Sequence, residues 1–252
     1  GRLVGSEMCI RDRGGVPQSI QGMAQALAEL HIPFNVVVDR QILEDHGYRV
    51  VVLPNVACMS DEEAEAIAKF VEAGGAIMAT GVTSLYDEKY RIRDDFALSR
   101  VFGHHHGQGT AGTVTNEVGS GRSVYLPGEP EEEFWHEAWP ASLQRIEDAI
   151  DHALQGDHQL KIDAPNTTVI NVAEKVDTTL IHLINYDAKL SAQDMAVELR
   201  KPKGKSLGQV TVMSPDFSSG TTERIEATES GGRVGFAVPH LRLYNVVVVE
   251  WA

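Results

Sequence analysis

The stretch from Tyr48 to Gly81 constrains the fold more than any other part of the chain. YRVVVLPN (48–55) carries an unbroken apolar run, the pattern of a strand buried on both faces of a parallel sheet. SDEEAEAIAKFVEAGG follows. Ser60 stands where a helix N-cap belongs and Glu63 lies three residues on, which makes a capping box. Asp61, Glu62 and Glu63 sit at the positive end of the helix dipole, and Gly74 and Gly75 supply the stop. Ala64, Ile67, Ala68 and Val71 form one apolar stripe, and AIMATG (76–81) is the next strand. Strand, helix and strand at this spacing form a right-handed βαβ unit with parallel strands. The expectation is an α/β fold, a doubly wound, flavodoxin- or amidotransferase-like parallel sheet.

The flanks agree. Pro17 is placed to open a helix whose face carries Ile20, Met23, Ala24, Leu27 and Leu30, and FNVVVD (34–39) is a β-branched strand. SVYLPG (123–128) is a further strand and SLQRIEDAIDHALQG a helix, capped by Ser142 or by the turn at Pro140. Between them, DDFALSRVFG forms a short helix and GHHHGQGTAG a loop. After Gly156 the period changes to two. Six segments from TTVINVAEK to YNVVVVEWA alternate with Gly, Asp, Pro and Ser turns, which predicts a small all-β sandwich. The domains are therefore read as 14–158 and 159–252. Residues 1–13, GRLVGSEMCIRDR, show neither helix nor strand period, and SEMCIRDR resembles a translated sequencing adapter. They are read as an artefactual or disordered leader, with the true N-terminus elsewhere.

The 252 residues carry a net charge of −14, which disfavours nucleic acid and anionic membrane surfaces as partners. No apolar run is long enough to span a bilayer. Composition favours a soluble, cytoplasmic chain without fixing its compartment. Neither Cys9 nor Cys58 belongs to a disulfide framework or a zinc motif.

The residues that could carry chemistry divide as follows. Cys58 lies in a loop after a strand, where a nucleophile could sit, but lacks flanking glycines; a structural thiol is the simpler reading. The turn after AIMATG offers Thr80, Gly81 and Thr83 and no cysteine. His104, His105 and His106 are consecutive, so their side chains diverge, and a solvated loop is favoured over a metal site. Glu131, Glu132, Glu133 and Glu137 accompany Trp135 and Trp139. Carboxylates beside aromatics suit a glycosidase, but sequence neighbours rarely flank a sugar, so an acidic surface loop anchored by tryptophans is expected. His182 sits inside an apolar strand and is read as a hydrogen-bonded histidine. Neither GSGRS nor GHHHGQG follows a strand and opens a helix, so no cofactor site is assigned.

Taken together, the run from Tyr48 to Gly103, TTLIHLINYD (178–187), MSPD (213–216) and VPHLRLYNVVVVE (238–250) resemble the β-galactosidase trimerisation domain of family 42 glycoside hydrolases and the β domain that closes such chains. The resemblance implies a non-catalytic region whose parent cleaves glycosides with glutamates on a separate barrel, so no catalytic residue, metal or cofactor is carried over. It implies a homo-oligomer, a trimer, with a carbohydrate substrate in the intact parent. It also implies that GVTSLYDEKYRIRDD, with Thr83, Ser84, Tyr86 and Asp87, can line a neighbour's cleft. The rival readings are a stand-alone amidotransferase-like hydrolase using Cys58, and a carbohydrate-binding module.

Overall fold

The structure, a computed structural model, describes residues 2–5, 18–38, 47–110, 112–187, 189–215 and 222–252. Cys9, Pro17, Asp39 and Asp216 lie outside the described residues. Two compact units emerge: Gly1–Ala26 with Phe34–Asp157, and Leu27–Pro33 with His158–Ala252.

The first unit contains β1 (Arg2–Gly5), α1 (Gln18–Glu29), β2 (Asn35–Val38), β3 (Val50–Leu53), α2 (Asp61–Glu72) and β4 (Ala76–Thr80). It continues with α3 (Ser99–Phe102), β5 (Val114–Val118), β6 (Gly121–Leu126), α4 (Pro130–Glu137) and α5 (Pro140–Leu154). Its sheet has the order β2-β1-β3-β4-β6-β5. Every pairing is parallel except β5 with β6. The five parallel strands follow the flavodoxin-like order.

The expected α/β sheet is present, with two departures. Arg2–Gly5, inside the segment read as irregular, is a strand paired to β2 and β3. Four residues are too few to show a period, and a strand between two others is held by backbone hydrogen bonds rather than by patterning. The second departure is β5, an antiparallel edge strand formed by VTNEV, a segment to which the sequence reading assigns no element. Gly119, at φ 62°, and Ser120 close a hairpin between it and β6.

α2 follows its sequence closely. The Ser60 hydroxyl accepts from the Glu63 N–H, and Glu63 accepts from the Ser60 N–H at 2.7 Å. Its buried stripe is Ala64, Ile67, Ala68 and Val71, packed with Val51, Leu53, Ile77 and Ala79 of the sheet. α1 buries Ile20, Met23 and Leu27 as expected, and Ala26 rather than Ala24. α5 starts at Pro140 with no side-chain cap; Ser142 instead donates to Glu133 at 2.7 Å.

The second unit holds β7 (Leu160–Ile162), β8 (Thr168–Lys175), β9 (Thr178–Asn185), β10 (Ala192–Arg200), β11 (Leu207–Met213), β12 (Thr222–Ile225), β13 (Ala227–Ser230), β14 (Arg233–Leu241) and β15 (Tyr244–Trp251). They form two antiparallel sheets, β13-β14-β10-β7 and β12-β11-β15-β9-β8. Alternate residues meet in one core that includes Ile181, Leu183, Val197, Leu199, Val247 and Val249. The Trp251 indole N–H donates to Thr179 at 2.9 Å, so its polar atom is satisfied inside. Among the described residues no helix is long and apolar enough to cross a membrane.

Candidate functional site

Open parallel sheets bind ligands outside the carboxyl ends of their strands. In this chain that region is built by the turns after β3, β4 and β6. Leu53 is followed by Asn55, whose φ of 48° turns the chain back, and Thr80 by Gly81 at φ 59°. Asn55 is held by its N–H to Thr80 Oγ1 at 2.9 Å, and its Oδ1 accepts from the Val82 N–H at 3.0 Å. A Cβ on Gly81 would lie 2.5 Å from that Oδ1, so the close approach and the positive φ both require glycine. The Tyr125 hydroxyl donates to the Gly81 carbonyl at 2.7 Å.

Thr83 and Ser84, expected to line a cleft, are fully buried. Thr83 Oγ1 accepts from the Val56 N–H at 3.1 Å and lies 2.7 Å from the Thr80 carbonyl, to which it donates. It thereby ties the turn after β4 to the turn after β3. Ser84, at φ 64°, donates its N–H to the Val56 carbonyl, and its hydroxyl accepts from the Leu98 N–H. These hydroxyls are spent on the protein's own backbone. Thr83→Val is expected to cost about 2–3 kcal/mol, because the buried Val56 N–H loses its acceptor. A lower urea midpoint at unchanged slope would register this loss.

Tyr86 and Asp87 belong to the outer part of the same loop. Tyr86 bridges to Cys58 on one side and to Ile92 on the other, and its ring stacks on Tyr90 with centroids 4.9 Å apart. Asp87 accepts from the N–H groups of Lys89 and Arg91 and from the Arg91 guanidinium at 2.7 and 2.6 Å. The Arg91 N–H and side chain hold its carboxyl down at about 2. This is a latched turn, in which the Asp87 carboxylate is occupied by Lys89 and Arg91.

Cys58 is buried, which shields it from a substrate. The histidine loop behaves differently at each position. His104 is buried against the Tyr125 ring, and His106 meets Phe96 edge-on. His105 pairs with Asp95 at 2.6 Å, a partner that adjacent-residue spacing did not reveal. Burial pushes Asp95 up, but His105 and the N–H groups of His106 and Phe96 outweigh it and hold the carboxyl at about 2. No group of three or more His, Cys, Asp or Glu side chains that could hold a metal occurs among the described residues. His182 donates to or accepts from the Tyr244 hydroxyl at 2.7 Å on the outward side of β9.

The acidic segment after β6 departs most from expectation. It is a helix, with Pro130 in its first turn, and Glu131 is fully buried. Thr80 Oγ1 donates to Glu131 Oε1 at 2.5 Å, and Oε2 has no hydrogen-bond partner. Burial pushes this carboxyl up to about 8, against the opposing hydrogen bond from Thr80, so it is neutral at pH 7. The available signal was the spacing of Pro130 and Phe134, one turn apart and both buried, which marks a helix face. Trp135 and Trp139 are exposed.

The first unit is a doubly wound sheet whose carboxyl-end turns are bound to one another by buried hydroxyls, and the second is an antiparallel sandwich. Residues 12–103 match the model of the β-galactosidase trimerisation domain family. No curated protein matches the chain. Among solved structures, α-L-fucosidase isoenzyme 2 from Paenibacillus thiaminolyticus superposes with a TM-score of 0.73 at 19% identity, over 99% of this chain and 48% of that one. The β-galactosidase from Bacillus circulans sp. alkalophilus gives 0.63 at 15%, over 98% of this chain and 41% of that one. The β-galactosidase from Rahnella sp. R3 gives 0.63 at 15%, over 99% and 40%. At these identities the likeness is one of fold, and the chain spans less than half the length of each.

Proposed function

We propose that this chain is the non-catalytic, oligomer-building region of a larger β-galactosidase-like glycoside hydrolase, and that the oligomer is a trimer. The observation that carries the reading is the match of residues 12–103 to the trimerisation domain family. The chemistry of the carboxyl-end turns supports it: Thr80, Thr83 and Ser84 are buried and mutually bonded, and Cys58 is buried. A region that shapes an assembly needs rigid turns and exposed apolar side chains, and this loop offers both. The organisation into an α/β unit over 14–158 and a β unit over 159–252 belongs to the same proposal. So does the role of the loop from Thr83 to Asp87 beside a neighbouring subunit, with Thr83 and Ser84 holding the loop and Tyr86 and Asp87 nearer its tip. The carbohydrate substrate belongs to the parent enzyme.

The test is an assay of the purified 252-residue chain on aryl β-galactosides over hours at micromolar concentration. No hydrolysis above the buffer rate is expected. Turnover that survives repurification and is lost on Cys58→Ala would favour the rival hydrolase reading.

A further inference from the structure

α4 is eight residues long, too short to persist in water by itself. No side chain caps its N-terminus, and Ala138 ends it in the left-handed region at φ 50°. It is therefore held by what it packs on. Phe134 is buried, His136 meets Gln18 of α1 at 2.8 Å, and Glu133 accepts from Ser142 of α5 at 2.7 Å. Glu131 docks the first turn on the end of β4.

The Glu131 contact is made for a neutral acid. Thr80 Oγ1 accepts from the Asn55 N–H at 2.9 Å and donates its single proton to Glu131 Oε1 at 2.5 Å. The acid proton therefore belongs on Oε2, which has no hydrogen-bond partner and is fully buried. Gly22 of α1 seals this point from the other side, since a Cβ there would lie 2.0 Å from the Glu131 carbonyl oxygen. On ionisation Oε2 carries charge with no donor to meet it, and a buried unpaired charge is costly.

The surrounding charges oppose ionisation further. Glu129 and Glu132 act on the carboxyl, and both are negative. The charged residue of α1 is Glu29, and β4 has none. α5 brings Arg145, which meets Glu133 and donates to the Pro127 carbonyl, with Glu147, Asp148, Asp151 and His152 further along. The positive end of the α4 dipole favours an anion, but burial outweighs it and holds the carboxyl up at about 8.

We propose that Glu131 is an alkali-sensitive latch, whose ionisation releases α4 from the end of β4 and from α1 while the sheet stays folded. The inference concerns the first unit alone and stands whatever the oligomeric state. Undocked, the carboxyl returns to the ordinary 4.5; docked, it titrates at about 8. Opening therefore becomes about tenfold easier per pH unit between these values and levels off above 8. Below 4.5 the latch is closed.

Native-state hydrogen exchange of the 252-residue chain and its Glu131→Gln variant, read by mass spectrometry over peptides of α4 and α2, tests this. Rates are corrected for the intrinsic pH dependence of amide exchange. The α4 amides of the wild type are expected to lose about 50-fold in protection between pH 6 and pH 8, and those of the variant to keep theirs. The α4 exchange should be insensitive to low urea, because a local opening exposes little surface, whereas α2 protection falls as urea is added. Circular dichroism checks that the variant keeps its fold, and the wild-type pH and urea dependences stand without it. An α4 equally protected at both pH values, or one that loses as much protection in the variant, overturns the latch. So does an α4 that follows α2 in its urea dependence, which would mean that the unit opens only as a whole.

Discussion

Replacing Glu131 by Gln is expected to stabilise the protein above neutral pH and to leave it nearly unchanged at pH 5. The carboxyl titrates near 8 when folded, against 4.5 for the ordinary group. The folded state therefore holds a proton that the unfolded chain releases as pH rises. Its contribution to stability is fully present below about 4.5, declines between 4.5 and 8, and is level above 8. The integrated effect is on the order of 3–5 kcal/mol. Glutamine has the shape of the neutral acid, keeps an oxygen for the Thr80 hydroxyl and cannot ionise. Melting curves at pH 5, 7 and 8.5 should show the variant's advantage growing with pH, to roughly 5–10 °C at the alkaline end. Curves that stay parallel across this range would mean that Glu131 is not held neutral by burial. Comparing variant with wild type removes the pH dependence of other groups, such as His31, whose imidazole burial pushes down.

The second large effect is expected at Gly22. A Cβ there would lie 2.0 Å from the Glu131 carbonyl oxygen and 2.8 Å from its carbon, both backbone atoms of α4. In an isolated helix Gly→Ala gains about 1 kcal/mol. In α1 that gain is overridden, because the two helices must separate at this close approach. Gly22→Ala is expected to lose about 2–3 kcal/mol net. The loss should appear as a lower denaturant midpoint. A raised midpoint would mean that α1 and α4 are not in contact at this residue.

These two positions show where the sequence was legible and where it was not. α2 could be read to its caps, because Ser60, Glu63 and the Ala64–Val71 stripe are local signals that all point one way. The sandwich strands were readable for the same reason, since alternation along β9 and β15 maps directly onto burial. Glu131 was not readable. Whether a glutamate in EPEEEFWHE faces water depends on a glycine on a distant helix and on Thr80 at a strand end, and neither leaves a trace at the glutamate itself. Thr83 and Ser84 belong to a loop that the resemblance sets beside a neighbour's cleft, and their burial was not legible. Their hydroxyls are turned inward by Val56 and Leu98, partners far away in sequence. β1 was missed because four residues show no period, and β5 because GSGRS, which holds its hairpin turn, was weighed only as a cofactor motif. Local chemistry could be read; close approach between elements could not.

The central claim is that this chain builds an assembly and performs no chemistry by itself. Sedimentation equilibrium of the unmodified chain across micromolar concentrations tests it most directly. The account predicts a single association to three times the mass of one chain, with no stable two-chain species. A monomer throughout, or a dimer that never adds a third chain, would contradict it.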